Sequence, residues 1–373
     1  MQIDRRTIQN FDWLALGLVL ALSIIGVLTI FSATRPAEGE HQAPYYIKQL
    51  VWLAVGLIAM VLVIKVDYQW FARLSWLLYG IGLLFLLFVL AKGRIGMGAQ
   101  RWVSVGGISF QPSEIFRITF IIMIARYLST EKTPIDIKAF LKMLPLLGLL
   151  PFGLLVKQPD LGTATTISAV FLFICLAKGM SKRLVVALIA FAVISMPFLW
   201  DIVWDGFLKD YQRNRIVAFM DPTVDPAGIG YHINQSKIAI GSGMILGKGY
   251  MHGTQGPFRF LPEKHTDFIF SSFAEEWGLL GSLVLLGIYL AFFLRALDTA
   301  RKAKDEFGSL LALAITFMFA FYFFFNIGMT MGMLPVVGIP LPFMSYGGTA
   351  ILSNYIAVGL LINVRLRRFE LFY

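Results

Sequence analysis

Long apolar stretches separated by short polar segments run through the whole chain. A helix needs about 17 to 25 residues to cross the hydrocarbon core of a bilayer. These stretches are continuously apolar rather than alternating, which favours helices over a barrel because backbone in lipid must satisfy its own hydrogen bonds. Ten membrane spans are predicted, at residues 13–32, 49–64, 74–91, 114–128, 143–156, 161–177, 184–203, 268–297, 309–334 and 349–364.

Composition and charge fit this pattern. Apolar residues make up 58% of the chain and charged residues 14%, whereas a soluble domain carries about 25% charged residues. The net charge of +10 does not indicate nucleic acid as a partner, because the basic residues are spread over short loops, as the positive-inside rule expects. We therefore predict an all-α, polytopic membrane protein with residues 1–373 in a single membrane domain. Both termini are expected in the cytoplasm.

One long extracytoplasmic loop, residues 205–267, is predicted between the seventh and eighth spans, and loops of this length are usually functional. Within it, the spacing of Ile233, Ile238 and Ile240 indicates a short amphipathic helix at the membrane interface. The loop before the fourth span is an exception to the charge rule, since it places Arg101 and two other cations outside. Cys175 is the only cysteine, which excludes disulfides and a cysteine-based metal site.

Several polar residues enter the predicted membrane region from the side of the long loop. Glu114 and Arg117 open the fourth span, Gln158 and Asp160 open the sixth, and Glu275 and Glu276 lie in the eighth. Ionisable residues inside a membrane are functional candidates by default. A satisfied ion pair that only holds helices together is the structural alternative for Glu114 and Arg117, which are three residues apart. Of the two adjacent glutamates, we expect one to order the loop and the other to line a cleft.

Six motifs in this order along the chain carry a resemblance to a known family. They are QPSEIFRI at 111–118, KQPDLGT at 157–163, QRNRI at 212–216, NQSKIAIGSG at 234–243, LPEKHTDFIF with AEEWG at 261–278, and PFMSYGGTA at 342–350. Together they resemble the SEDS family of polytopic membrane proteins over nearly the whole chain. The stretch that ends in HTDFIF is more similar to the elongation-type members than to the division-type members.

The resemblance implies a peptidoglycan glycosyltransferase in the bacterial cytoplasmic membrane. Such an enzyme polymerises lipid II onto a nascent glycan strand at the extracytoplasmic face, together with a class B penicillin-binding protein and the elongation machinery. The family's essential carboxylate corresponds to Asp267, and Glu114 belongs to the family's active cleft. The chain departs from the family in having Arg117 where Lys is common. Because a guanidinium stays charged, this departure argues against a role for residue 117 in carrying a proton.

The chemistry of this reaction requires a base for the attacking sugar hydroxyl and positive charge for the departing prenyl pyrophosphate. Asp267 is the candidate general base, and partial desolvation at the membrane edge would raise its pKa. Transfer from an α-linked donor to a β-linked product is inverting, so one carboxylate suffices. Mg²⁺ or Mn²⁺ could assist by bridging the pyrophosphate and Asp267.

Five cations without an obvious partner in the sequence are candidates for the pyrophosphate, since guanidinium and ammonium groups bind phosphate. Lys264 and His265 adjoin Asp267 and can tune it, and Gln158 and Ser345 fall within the shared motifs. The candidate substrate-binding residues are Arg101, Arg117, Arg213, Arg215, Lys248, Lys264, His265, Gln158 and Ser345.

Two other classes of function fit the composition. Buried charges and glycine breaks also occur in transporters and lipid flippases, although the chain has no two-fold internal similarity and its polar groups collect on one side. A non-catalytic scaffold that activates a partner enzyme is the second alternative.

Overall fold

The computed structural model describes residues 11–35, 44–96, 99–105, 108–201, 204, 206, 210–221, 228–255 and 263–368. This part of the chain is predominantly helical, as the apolar pattern predicts. Its α-helices are α1 (Trp13–Ala33), α2 (Tyr45–Lys65), α3 (Tyr68–Arg73), α4 (Ser75–Lys92), α5 (Pro112–Thr130), α6 (Ile137–Met143), α7 (Leu150–Lys157), α8 (Leu161–Lys178), α9 (Lys182–Asp201), α10 (Asp210–Met220), α11 (Ile229–Ser242), α12 (Ile269–Arg301), α13 (Glu306–Thr330) and α14 (Gly348–Leu366).

Within the described residues, eight helical segments are long and apolar enough to cross a membrane. They are α1, α2, α4, the segment Ile137–Lys157, α8, α12, α13 and α14. The fourth and seventh predicted spans are helical as well, in α5 and α9, but α5 carries three charged residues, Glu114, Arg117 and Arg126. The helical, multi-pass class is confirmed, and the count of ten spans stays a prediction.

The predicted loop 205–267 contains two helices, α10 and α11. Helix α11 confirms the short helix expected around residues 233–240, and its Ile233 is buried whereas Ile238 is half exposed. The isoleucine pattern predicted this helix because Ile233 and Ile240, seven residues apart, fall on one face of a helix. Its position at the membrane interface, and that of the loop outside the membrane, remain predictions.

The chain divides into two compact units. The first comprises Met1–Trp70 and Ala218–Tyr373. Here α12 packs against α1, α11, α13 and α14, and α14 packs along α2. Asp12 caps α1 by accepting a hydrogen bond from the Ala15 backbone N–H at 3.1 Å. Asp305 caps α13 through the Gly308 N–H at 2.8 Å. Such caps satisfy backbone donors that the first turn of a helix leaves unpaired.

The second unit, Phe71–Val217, contains the helices from α4 to α9 and a small sheet. The strands β1 (Arg94–Gly96), β2 (Ala99–Val105) and β3 (Ile108–Phe110) pair antiparallel in that order. Arg94 lies opposite Trp102, and Val103 lies opposite Phe110. The apolar pattern did not predict this sheet because its strands are short and follow a long helical run. Both α4 and α5 pack against β2.

The fifth predicted span is irregular. A π-helix, Leu144–Leu149, joins α6 to α7. Pro145 and Pro151 lie in this region, and each proline removes one backbone donor from the helical ladder. A wider turn accommodates the missing hydrogen bonds, which explains why this apolar run is not a straight helix.

Candidate active site

Asp267 lies in the turn 263–268, immediately before α12, and is partly buried. The turn is closed by hydrogen bonds from the backbone N–H groups of Thr266 and Phe268 to the Glu263 carbonyl, at 3.1 and 3.3 Å. Glu263 has a φ of 51°, in the left-handed region that residues other than glycine seldom adopt. The candidate base is thus presented from a tight turn rather than from the regular part of a helix.

Three successive backbone carbonyls of this turn accept hydrogen bonds from elsewhere in the first unit. The His265 carbonyl accepts from the Tyr346 N–H at 2.8 Å. The Thr266 carbonyl accepts from Ser345 Oγ at 2.7 Å. The Asp267 carbonyl accepts from Asn326 Nδ2 at 3.0 Å. The main chain on which Asp267 sits is therefore held by α13 and by the segment before α14.

The hydroxyl of Ser345 both donates and accepts a hydrogen bond. It donates to Thr266 and accepts from the Leu341 N–H at 2.8 Å, and Ser345 is 4% exposed. Gln49 of α2 fixes the same segment by donating to the Ser345 carbonyl at 3.1 Å. These contacts give Ser345 a positioning role, and its direct contact with substrate stays a prediction.

The His265 ring stacks on Tyr45, with ring centroids 4.3 Å apart, and also contacts Tyr346 at 5.6 Å. Burial among these rings lowers the pKa of His265 from its ordinary 6.5, because desolvation disfavours the imidazolium. The negative charge of Glu263 raises this pKa and the positive charge of Lys264 lowers it, both to a smaller extent. A neutral imidazole beside Asp267 is therefore favoured near neutral pH.

Glu275 orders the segment that precedes the active-site turn. Its Oε1 lies 2.6 Å from Lys248 Nζ. The same oxygen accepts from the Thr254 N–H at 2.8 Å and from Thr254 Oγ1 at 2.7 Å, and Oε2 accepts from the Gln255 N–H at 3.2 Å. Glu275 itself is 1% exposed. The expectation that one of the two glutamates orders the loop is confirmed, and that residue is Glu275.

Helix α12 is broken one turn beyond this carboxylate, at Gly278, which has φ 63° and ψ −162°. The segment 244–249 satisfies the backbone groups that the break frees. The N–H groups of Lys248 and Gly249 donate to the Glu275 and Glu276 carbonyls at 3.0 and 2.9 Å. The Leu279 N–H donates to Met244 at 2.9 Å. Broken helices at membrane depth persist where protein satisfies their backbone in this way.

Glu276 points to a different set of groups. It is 4% exposed and accepts a hydrogen bond from Ser32 Oγ of α1. Its Oε2 has no hydrogen-bond partner among the residues that the structure describes. Gly253 lies close to both glutamates, since a Cβ there would be 3.2 Å from Glu275 Oε2 and from Glu276 Oε1. The role of Glu276 in lining a cleft stays a prediction.

In the second unit, Glu114 and Arg117 form an ion pair of 2.8 Å in the first turns of α5. Arg117 is 2% exposed and Glu114 is 5% exposed. A carboxylate in the first turn is also favoured by the helix dipole. The pair that the spacing predicts is therefore formed, and the contact does not decide between a structural role and a role in binding.

A second polar cluster in this unit centres on Asp160, which caps α8. Asp160 accepts from Ser113 Oγ at 2.9 Å and from Thr163 Oγ1 at 3.0 Å, and it pairs with Arg101 Nη1 at 3.6 Å. Arg101 Nη2 also donates to the Pro159 carbonyl at 2.5 Å. Arg101 thus fastens β2 to the start of α8.

Of the cations without an obvious partner in the sequence, Arg101 and Lys248 each lie beside a carboxylate, and so does Arg117, whose pair with Glu114 the spacing predicts. A buried or half-buried charge is stable in apolar surroundings only when it is paired. Sequence spacing could not show the pairs of Arg101 and Lys248, since their partners lie 59 and 27 residues away in the chain. Binding of pyrophosphate by any of these cations stays a prediction.

The remaining candidates occupy separate positions. Arg213 and Arg215 lie in α10, and Lys264 lies in the turn beside Asp267. Gln158 ends α7, is 1% exposed and donates to the Leu86 carbonyl at 2.7 Å. That contact gives Gln158 a structural role in the second unit, and its substrate contact stays a prediction.

No group of three or more His, Cys, Asp or Glu residues arranged to hold a metal occurs within the described ranges. Mg²⁺ commonly uses one or two carboxylates together with substrate phosphates and water. A single carboxylate at Asp267 fits an ion that the substrate helps to bind, and it does not fit a cage made by the protein alone.

Asn326 is not among the residues that the sequence predicts for the site, whereas Asp160 is predicted only as a polar residue at the start of the sixth span. Asn326 is an isolated amide in the apolar run around residues 321–329, and intramembrane polar residues are functional candidates. The sequence alone could therefore have indicated Asn326 as a candidate. The central position of Asp160 in its cluster required the fold.

These features define a multi-pass helical membrane protein with buried carboxylates beside a broken helix. The profile of the FtsW, RodA and SpoVE family, described as "Cell cycle protein", matches residues 12–369. The chain belongs to this family, as its motifs indicate.

Individual relatives and solved structures show which members of the family the chain resembles. The chain is 39% identical over 359 residues to the peptidoglycan glycosyltransferase MrdB of Escherichia coli strain K12, covering 96% of this chain and 94% of that protein. It is also similar to a chain in a solved structure entitled "Structural coordination of polymerization and crosslinking by a peptidoglycan synthase complex". The TM-score is 0.80 at 29% sequence identity, and the match covers 96% of this chain and 99% of that chain. The crystal structure of the Rod shape determining protein RodA of Thermus thermophilus matches with a TM-score of 0.70, 26% identity, and coverage of 96% and 98%.

Proposed function

We propose that this protein is a peptidoglycan glycosyltransferase that polymerises lipid II into glycan strands during cell elongation. The observation that carries the proposal is the placement of Asp267 in a tight turn. Three successive carbonyls of this turn accept hydrogen bonds from α13 and from the segment before α14. Family membership over residues 12–369 and the name of the relative MrdB support the reaction class. The likeness to a Rod shape determining protein supports a role in elongation.

Asp267 acts as the general base in this proposal. A sugar hydroxyl attacks the anomeric carbon of the lipid-linked donor, and its proton passes to the Asp267 carboxylate. The new glycosidic carbon–oxygen bond forms as the bond to the prenyl pyrophosphate breaks, and the electron pair leaves on the pyrophosphate oxygen. Attack from the face opposite the leaving group inverts the configuration, so a second carboxylate nucleophile is not needed.

The pyrophosphate needs positive charge as it departs. Lys264 adjoins Asp267 in the same turn and is the nearest candidate along the chain. Arg101, Arg117, Arg213, Arg215 and Lys248 remain candidates, although three of them are already paired with carboxylates. Mg²⁺ or Mn²⁺ held by Asp267 and the substrate would supply further positive charge to the leaving group.

A class B penicillin-binding protein is the proposed partner, because polymerised strands must be crosslinked. The similarity to a chain of a peptidoglycan synthase complex supports this partner. The proposal places the protein in the bacterial cytoplasmic membrane with both termini in the cytoplasm and Asp267 at the extracytoplasmic face. The alternation of basic loops in the sequence supports that orientation.

Transport of a lipid-linked precursor is the second candidate function. The observation that favours it is the break in α12 beside buried Glu275 and Glu276, because discontinuous helices with buried charges are typical of transporters. In this reading the two glutamates, rather than Asp267, would be essential.

Reconstitution with lipid II separates these functions. The purified protein, Asp267→Asn and Asp136→Asn are compared in vesicles without a partner. Asp136 caps α6 through the Ala139 N–H at 2.8 Å, so its replacement makes the same chemical change outside the candidate site. Polymer from the intact protein and Asp136→Asn, but not from Asp267→Asn, supports the proposed enzyme.

Other outcomes reject it. Movement of lipid II across the vesicle membrane without any polymer, unaffected by Asp267→Asn, indicates a transporter. Polymer that forms only after a partner enzyme is added, and equally with Asp267→Asn, indicates a scaffold.

A further inference from the structure

Asn326 is a fully buried amide inside an apolar helix. It lies in α13, four residues before the end of that helix, and is 0% exposed. Three phenylalanines precede it and an isoleucine follows it. Burying an amide without hydrogen bonds is costly in proteins, so its contacts should account for its presence.

Both hydrogens of the amide are used. Asn326 Nδ2 lies 3.0 Å from the Asp267 carbonyl oxygen and 2.8 Å from the Ile339 carbonyl oxygen. Carbonyl oxygens only accept hydrogen bonds, so the nitrogen of the side chain must face them. Asn326 therefore joins the turn 263–268 to the segment before α14.

We propose that Asn326 is the positioning residue for Asp267, an inference that rests on the proposed function. The carbonyl carbon of Asp267 is bonded to the Cα that carries the carboxylate. Holding the carbonyl therefore holds the Cα–Cβ bond from which the carboxylate extends. General-base catalysis depends on the direction of this bond, because proton transfer requires hydrogen-bond geometry with the attacking hydroxyl.

The two preceding carbonyls do not substitute for this contact. Those of His265 and Thr266 are held by Tyr346 and Ser345, which belong to the segment before α14. Asn326 comes from α13, so it anchors the turn to a second element at the residue that bears the base. Without it, the peptide group after Asp267 keeps the hydrogen bond from the Phe268 N–H to the Glu263 carbonyl at 3.3 Å but loses its contact with α13.

The chain offers a matched control. Asn363 in α14 is also 0% exposed and donates through Nδ2 to two backbone carbonyls, those of Val63 and Val66, at 2.7 and 2.6 Å. The Nδ2 contacts of the two asparagines are alike, whereas Asn363 Oδ1 also accepts a hydrogen bond from Arg367 and Asn326 Oδ1 has no hydrogen-bond partner among the described residues. Asn363 differs in tying the ends of α2 and α14 rather than the turn of Asp267.

The experiment compares Asn326→Leu, Asn363→Leu and Asp267→Asn in lipid II polymerisation, with folded protein counted by size-exclusion chromatography. Leucine keeps the approximate shape and removes the donor. The expected result is a kcat about 100-fold lower in Asn326→Leu with KM nearly unchanged, which is the size of effect expected from displacing a catalytic group by about 1 Å. Asn363→Leu should retain the intact kcat per folded molecule even if it unfolds at a lower temperature.

A second variant covers the case in which Asn326→Leu does not fold. In Asn326→Asp the side chain donates a hydrogen bond only while protonated, so its kcat relative to the intact protein should fall as pH rises. An activity ratio independent of pH would contradict the proposal.

Three results separate the inference from the function on which it rests. Loss of activity in Asp267→Asn with normal kcat in Asn326→Leu rejects the positioning role alone. Equal losses in Asn326→Leu and Asn363→Leu also reject it, because they indicate general destabilisation. Full activity in Asp267→Asn rejects the proposed function and the positioning role together.

Discussion

Lys248 Nζ lies 2.6 Å from Glu275 Oε1, and this ion pair fastens the segment after α11 onto the broken part of α12. Lys248 is half-buried, whereas the Glu275 side chain is 1% exposed. The carboxylate gains two further donors from Thr254. The pair thus anchors the chain that leads towards the turn of Asp267.

Breaking this pair should destabilise the protein. Glu275→Gln and Lys248→Met are each expected to lower the free energy of unfolding, and the double variant should lose less than their sum. The coupling energy expected for such a contacting pair is about 0.5–3 kcal/mol. Thermal unfolding of the single and double variants measures it, and strictly additive losses would show that the pair contributes nothing.

The break in α12 requires glycine at position 278. Gly278 has a positive φ, and a Cβ there would lie 2.3 Å from the Gly247 nitrogen. Backbone of this kind is essentially restricted to glycine and costs about 1–3 kcal/mol for other residues. Gly278→Ala should therefore lower the unfolding temperature strongly, since the clash adds to that cost.

Gly287 in the same helix is the control for this prediction. Nothing lies within 4 Å of a Cβ built there, and alanine is favoured over glycine in a helix by about 0.5–1 kcal/mol. Gly287→Ala should leave the unfolding temperature unchanged or raise it. A loss in Gly287→Ala as large as that in Gly278→Ala would contradict the account of the break.

The buried imidazole of His265 predicts a dependence of stability on pH. Its pKa is lowered from 6.5 in the folded protein, so the unfolded chain binds the proton more readily as pH falls through that value. Stability should be fully present above about pH 6.5 and decrease below it. His265→Phe keeps a ring against Tyr45 and removes the titration.

The measurement is the unfolding temperature of the intact protein and His265→Phe between about pH 5 and 8. The difference between the two curves isolates His265 from other titrating groups. A difference that does not change with pH would reject the prediction.

The carboxylate of Asp12 forms ion pairs with two arginines, Arg295 near the end of α12 and Arg365 near the end of α14. It lies 2.9 Å from Arg295 Nε and 3.1 Å from Arg365 Nε, and Asp12 is 3% exposed. Asp12→Asn should cost about 3–5 kcal/mol, because removing one partner leaves buried charge uncompensated. Lys302→Gln breaks an exposed pair with Asp298 and should cost only about 0–1 kcal/mol. Equal losses in chemical unfolding would contradict the distinction.

Arg117 tests the departure from the usual lysine of the family. The pair with Glu114 needs one positive charge at 2.8 Å, which lysine can also supply, whereas methionine cannot. We expect Arg117→Lys to retain polymerisation and Arg117→Met to lose both stability and activity. Rates of polymer formation with lipid II check this prediction. A folded but inactive Arg117→Lys variant would show that the guanidinium itself is needed.

The sequence predicts the helices well because each apolar run must satisfy its backbone internally. It also predicts the pair of Glu114 and Arg117, since residues three apart share a helical face. It does not predict the partners of Arg101 and Lys248, whose carboxylates come from other elements. Contacts of this kind depend on how helices pack, which an apolar pattern leaves open.

The candidate site is predictable in a similar, partial way. The resemblance identifies Asp267 from its motif, but the motif does not contain Asn326, which lies 59 residues later and bonds to its carbonyl. Likewise, two adjacent glutamates on a helix point in different directions, but only the structure shows that Glu275 is the one that contacts the segment 248–255. Chemistry carried by a motif can be read from residues, whereas the groups that orient it come from distant parts of the chain.

The most direct test of the central claim is the rate at which purified protein forms glycan polymer from lipid II, measured for the intact chain and for Asp267→Asn. Removal of a general base typically costs about 100- to 10,000-fold in rate. The account predicts a loss of at least about 100-fold in Asp267→Asn with the protein still folded. Polymer formed at the same rate by both proteins would contradict it.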